Sequence, residues 1–145
     1  MHTDPDTRSS AEASPTLRVL VADDGKNAAD ILGLFVKMEG YEVRVVYDGA
    51  DAVREAEDFL PHVILMDLQM PGTDGFEATR RIRQGPRGER PLIYALSGFD
   101  QAEVRRQCEA AGFHQLIPKP VSPGDLRELL KESARIVEDA NGAEV

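Results

Sequence analysis

The sequence predicts a doubly wound α/β domain, a parallel sheet covered by helices on both faces, from two observations. Short apolar segments and amphipathic helical stretches alternate five times, with turn residues between them. Within that alternation, Val63-Ile64-Leu65-Met66 is apolar without a break and half β-branched, as a strand buried on both faces reads. The run stops at Asp67, and Pro71-Gly72 marks a loop soon after. Short connections and right-handed crossovers then make every strand parallel.

In order, Leu17 to Ala22 is the first strand, ended by Asp23-Asp24-Gly25. The following helix carries Ala28, Ile31, Leu32, Phe35 and Met38 on one inward stripe, with Gly40 at its end. Tyr41, Val43 and Val45 alternate with Glu42 and Arg44, and Val46 extends this second strand. Asp48 suits the N-cap of a second helix bearing Ala52, Val53, Ala56 and Phe59, which Pro61 closes.

After the third strand, Asp74-Gly75 opens a third helix with Phe76, Thr79 and Ile82 facing inward. Gly85-Pro86-Arg87-Gly88 is a loop by composition. Pro91 to Leu96 is the fourth strand, ending at Ser97-Gly98, and Val104, Cys108 and Ala111 give the fourth helix a thin stripe. His114 to Ile117 is a short fifth strand, and Pro118 with Pro120 suits only a sheet edge. Ser122-Pro123-Gly124-Asp125 reads as an N-cap, a first-turn proline and an acidic first turn. The last helix turns Leu126, Leu129, Leu130 and Val137 inward.

The 145 residues suffice for one domain with a real core, expected over 17–137. Residues 1–16, rich in Ser, Thr, Asp and Pro, read as a disordered tail, and 138–145 as a flexible end. A net charge of −9 argues against nucleic acid or an anionic membrane as the main partner and favours a cationic protein surface or a metal cation. The lone Cys108 forms no internal disulfide and fits a reducing, cytoplasmic setting. No apolar run is long enough to cross a membrane, and residues 1–16 lack the apolar core of a signal peptide.

The polar residues that end the strands collect on one edge. Asp23 and Asp24 end the first strand, Asp67 the third and Ser97 the fourth, and Lys119 follows the fifth. Neighbouring strands lie about 4.8 Å apart, so the three carboxylates crowd if strands one and three pair. Two unit charges about 5 Å apart repel by roughly 3 kcal/mol at an effective dielectric near 20. Such a cluster calls for a hard divalent cation with oxygen ligands, Mg2+ above all, with Mn2+ as its substitute. A lysine ammonium and a serine hydroxyl beside it suit a phosphoryl group, with Asp67 as the nucleophile that forms an acyl phosphate.

Four segments together resemble the receiver domain of two-component response regulators: Val21-Ala22-Asp23-Asp24, Ile64 to Gly75, Ala95-Leu96-Ser97-Gly98 and Pro118-Lys119-Pro120. The resemblance runs from about Leu17 to Val137 and implies a flavodoxin-like (βα)5 fold with strand order 2-1-3-4-5. It implies that Asp67 is the phosphorylated aspartate. Asp24 and Asp67 would be direct magnesium ligands, Asp23 would hold the metal through water, and the Gln69 backbone carbonyl would be a further ligand. Ser97 matches the switch hydroxyl and Lys119 the phosphate-binding lysine, whose peptide bond to Pro120 is often cis in the family. The implied donor is a sensor histidine kinase or a histidine phosphotransfer protein, and the implied product is a switched protein-binding surface around the fourth helix and fifth strand. Self-phosphorylation and self-dephosphorylation are then its only catalysis. Leu116 stands where many DNA-binding regulators carry an aromatic switch residue, and Phe113 to Val121 is more similar to receivers attached to hybrid sensor kinases.

Taken singly, these residues have plainer readings: Asp24 as a helix cap, Ser97 as a turn residue, Lys119 as a solvated loop charge. Their joint position at the strand ends favours the site. His62, His114, Cys108, Met66 and Met70 read as structural. An aspartate-nucleophile phosphatase would carry a second acid two residues after the first, where this chain has Gln69. A flavodoxin-type electron carrier would need a hydroxyl-rich loop where Asp23-Asp24 would repel a flavin phosphate. The residues outside 17–137 leave no room for an output domain, so the expectation is a stand-alone regulator or a receiver excised from a hybrid kinase.

Overall fold

A computed structural model describes residues 16–99 and 101–143, with side chains described through residue 140. The tail expected over 1–16 lies, but for Thr16, outside the described residues. Five parallel strands, β1 (Arg18–Ala22), β2 (Glu42–Val46), β3 (Val63–Asp67), β4 (Leu92–Ser97) and β5 (Gln115–Pro118), lie in the order β2-β1-β3-β4-β5. The helices between and after them are α1 (Lys26–Met38), α2 (Gly49–Phe59), α3 (Gly75–Gln84), α4 (Ala102–Ala111) and α5 (Pro123–Ala143). The flavodoxin-like order expected from the resemblance is the one found, and β5 is an outer strand as its prolines require.

Alternation along the strands supplies two cores. Leu20, Ala22, Ile64, Met66, Ile93 and Ala95 pack with α2, α3 and α4 on one face. Val19, Val21, Val63, Leu65 and Leu96 pack with α1 and α5 on the other. Each inner strand is therefore buried on both sides, and β3 is buried at every position.

The helix starts follow their capping residues. The Asp51 N–H donates to the Asp48 carboxylate at 2.7 Å, Glu77 N–H to Asp74 at 2.9 Å and Asp125 N–H to the Ser122 hydroxyl at 3.1 Å. The α2 C-terminus is held otherwise: Leu60 turns left-handed at φ 53°, and the Arg18 guanidinium donates to the Phe59 and Leu60 carbonyls. Residues 138–143, expected from the sequence to belong to a flexible end over 138–145, continue α5 as helix to Ala143, and 144 and 145 lie outside the described residues.

Of the inward stripe expected on α1, Leu32 and Phe35 pack partly buried against the core, and the rest is corrected by the structure. Ala28 is exposed, and Ile31, Leu34 and Met38 are 68%, 58% and 73% exposed, while Ala29, Gly33 and Val36 face the sheet. The reason is close approach. A Cβ on Gly33 would lie 2.5 Å from Val45 Cγ2, so small residues bring this helix down onto β2, and Ile31, Leu34 and Met38 turn outward.

Candidate functional site

The site stands at the carboxyl ends of β1, β3 and β4. β1 pairs with β3, Ala22 opposite Met66, so the residues that follow, Asp23 and Asp67, emerge side by side. Asp67 pairs with Leu96, which sets Ser97 one residue further along the neighbouring strand. From β5, beyond Ser97 and Pro118, the chain turns through a cis Lys119–Pro120 peptide. The switch point of the strand order therefore carries the cluster that the sequence placed there.

Asp23, Asp24 and Asp67 each offer an oxygen, and these oxygens all lie within 4.8 Å of one another. Asp23 and Asp67 are buried and Asp24 is exposed at the rim. The Lys119 ammonium lies 3.2 Å from Asp67 Oδ1 and 3.7 Å from Asp23 Oδ2. The Gly25 N–H donates to Asp23 Oδ1 at 3.0 Å, and the Gln69 N–H approaches Asp67 Oδ1 at 3.4 Å. Asp24 does not cap α1: the residue before that helix is Gly25, with no side-chain cap. Ser97 is buried, and its hydroxyl accepts from the Phe99 N–H at 2.9 Å.

Every residue named from the sequence is thus at this rim, with Gln69 two residues beyond Asp67 in the β3–α3 loop. The reading stopped at Gly98 and missed Phe99, which is 49% exposed beside Ser97. The signal available was a lone aromatic in a polar loop. It also missed the two glycines that shape the β3–α3 loop. A Cβ on Gly75 would lie 2.9 Å from Leu68 Cα and closer still to the Asp67 carbonyl oxygen. One on Gly49, at the start of α2, would lie 2.9 Å from the Thr73 carbonyl carbon. The loop is gripped at both ends by backbone that admits no side chain.

Burial pushes the Asp67 carboxyl above the ordinary aspartate range; the Lys119 charge opposes this and Asp23 adds to it. The native state therefore holds the Asp67 proton more firmly than the unfolded chain, and stability falls as pH rises through and above the ordinary value of 3.8. In its charged form the buried Asp67 is a net cost to the fold. Asp67→Asn is expected to raise Tm by about 3 °C in magnesium-free buffer at pH 7. The gain should vanish below that ordinary value, where both states are protonated, as thermal unfolding followed by circular dichroism would read.

The donor set fits a hard divalent cation: carboxylate oxygens, two of them buried, at mutual distances that one ion can span. Fold and site together define a flavodoxin-like domain with an acidic, cation-ready rim at its switch point. The response regulator receiver domain profile matches residues 19–131. An uncharacterised 14.6 kDa protein from the sodA1 3′ region of Leptolyngbya boryana is 33% identical over 114 residues, 79% of this chain and 87% of that protein.

Among solved structures, the chemotaxis protein CheY4 of Vibrio cholerae superposes with a TM-score of 0.78 at 26% identity, covering 82% of this chain and 99% of that one. The receiver domain of the sensor histidine kinase PA1611 of Pseudomonas aeruginosa, solved with magnesium in its active-site cleft, is 32% identical. Its TM-score is 0.74 over 81% of this chain and 97% of that one. The chain belongs to the response regulator receiver domain family of two-component systems. Receiver domains hold magnesium at an acidic pocket of this kind. No helix among the described residues is long and apolar enough to cross a membrane.

Proposed function

We propose that this protein is a phosphoacceptor in a two-component phosphorelay, taking a phosphoryl group from a partner's phosphohistidine onto Asp67. The observation that carries the reading is the meeting of Asp23, Asp24 and Asp67 within 4.8 Å, with the Lys119 ammonium against Asp67. Asp24, Asp67 and the Gln69 carbonyl would hold Mg2+ (or Mn2+) directly, and Asp23 through water. The ion's chemistry when bound is to neutralise charge between carboxylate and phosphoryl oxygens.

An Asp67 carboxylate oxygen attacks phosphorus in line, the P–N bond breaks, and its electron pair leaves with the imidazole. Lys119 binds the transferred group's oxygens with its ammonium, and the Ser97 hydroxyl supplies a further donor. The hydroxyl can donate its own proton to the phosphoryl group while still accepting from the Phe99 N–H, so a shift of Ser97 toward that group draws the loop before α4 with it. Movement there biases the surface of α4 and β5 between two states. Beyond its own phosphorylation and dephosphorylation the domain turns over no substrate.

The phosphodonor is a sensor histidine kinase or a histidine phosphotransfer protein. Ile31, Leu34 and Met38 support protein docking on this side, because they form an exposed apolar ridge on the helix that follows Asp23-Asp24. Incubation with magnesium and acetyl phosphate, followed by intact mass measurement, tests the reading. The expected result is a gain of one phosphoryl group that disappears in Asp67→Asn; an unmodified mass, or a label that survives the substitution, overturns it.

A second reading, that the receiver passes phosphate on to a histidine phosphotransfer protein as hybrid kinases do, is favoured by Leu116 and by Gly98. Among the described residues nothing lies within 4 Å of where a Gly98 Cβ would stand, which supports access of a second partner to the phosphoryl group. Removal of the label by such a protein is the expected result, and a label that none removes contradicts it.

A further inference from the structure

At the opposite end of the sheet from Asp67, the amino ends of β1, β3 and β4 open onto a cavity of about 500 Å3. That volume falls in the usual range for small-molecule sites, about 300 to 1,000 Å3. Its apolar wall comes from Leu60 at the end of α2, Ile82 on α3, and Ile136 and Val137 on α5. Its polar lip is the loop between α3 and β4, a segment that the phosphoacceptor site does not use.

That loop is held rigidly. The Arg83 guanidinium donates to the carbonyls of Gly88, Pro91 and Gly112 at 2.7, 2.8 and 2.9 Å. Gly88 N–H donates to the Gly85 carbonyl, and Arg90 N–H to that of Arg87. Gly88 packs so closely on the end of α3 that a Cβ would meet the Ile82 and Arg83 carbonyls. Within this frame Arg87 is left-handed at φ 59°, a conformation an arginine adopts only when its surroundings impose it.

Arg87 and Arg90 both line the cavity and have no ion-pair or hydrogen-bond partner for their guanidiniums among the described residues. His62 lines it as well. Its Nδ1 accepts the Arg18 N–H at 2.9 Å, which leaves Nε2–H as a donor. Glu57 and Glu89 also contribute to the lining. Against Arg18, Arg87 and Arg90 they leave the lining at +1 in a chain whose net charge is −9. A lip carrying two guanidiniums and one carboxylate over an apolar wall suits an anionic head joined to an apolar body.

We propose that this cavity is a second ligand site, separate from the phosphoacceptor rim, which takes a small amphipathic oxyanion. The carboxylate or phosphate head meets Arg87, Arg90 and His62, and the apolar body lies against Leu60, Ile82 and Ile136. The inference does not depend on the proposed function of Asp67. Its test is a two-dimensional amide NMR titration of the full chain with sodium octanoate and, separately, octyl phosphate, with 1-octanol as the neutral comparison.

The expected result is saturable shifts at the His62, Gly88 and Val137 amides with at least one oxyanion. Binding should weaken about tenfold in Arg87→Gln/Arg90→Gln and stay unchanged in Asp67→Asn. Neither exposed guanidinium takes part in the hydrogen bonds among the described residues, so the double variant keeps its structure. The tighter of the two probes identifies the head group. No saturable shift with either oxyanion, equal binding of octanol, or an unweakened double variant overturns the proposal.

Discussion

Replacing Lys119 with methionine is expected to slow labelling by acetyl phosphate about 100-fold while leaving magnesium affinity undiminished. The two effects separate because the ammonium sits 3.2 Å from Asp67 and 3.7 Å from Asp23, where it neutralises the same carboxylates that a dication would hold. Removing it strengthens the negative field that attracts magnesium. On the role proposed for Lys119, the charge developing on the transferred group loses its donor at the same time. Initial labelling rates by mass spectrometry, set beside magnesium titrations of the unlabelled variant, check both halves. A variant labelled at the parent rate would take the lysine out of the transfer step, and one that binds magnesium more weakly would make it a structural prop.

The second large effect concerns glycines. Gly75→Ala drives a methyl into the Asp67 carbonyl and Leu68 Cα, and Gly49→Ala drives one into the Thr73 carbonyl. Backbone cannot rotate away as a side chain does. Each substitution is expected to cost about 3 kcal/mol, or roughly 10 °C in Tm, and to weaken magnesium binding about tenfold by displacing the loop that carries Gln69. Gly33→Ala supplies the comparison. Its methyl clashes with the side chain of Val45 rather than with backbone, on β2 at the sheet's edge, so it should lower Tm by about 4 °C with magnesium affinity unchanged. Thermal unfolding and magnesium titration of the three variants test this. Equal losses of affinity in all three would show that the loop is not specifically gripped.

Much of this was legible in the chain because two signals agreed. Apolar runs of strand length gave the sheet, and an acid or hydroxyl at the close of several of them gave the rim. Asp67 stood out because Leu68 to Gly72 opens no helix that it could cap. The outward turn of α1 was not legible. Periodicity weighs residues by hydrophobicity, whereas the α1 interface is decided by how near the backbone must come, and there Gly33 and Ala29 outrank Ile31 and Met38. Nor could the sequence show that Lys119 bridges two aspartates, or that Arg83 organises a loop on the far side of the domain. Those contacts join residues distant in the chain, and no local pattern encodes them.

The two flanks of the sheet limit how this protein is recognised. β2 presents Glu42 and Arg44 to solvent, and β5 is a short strand ending in Pro118, which has no N–H to offer. Neither border invites an incoming strand to zip alongside. Helical ridges and loop tips are the surfaces better suited to association, where a change of side-chain packing can make or break a contact without disturbing the hydrogen-bonded centre.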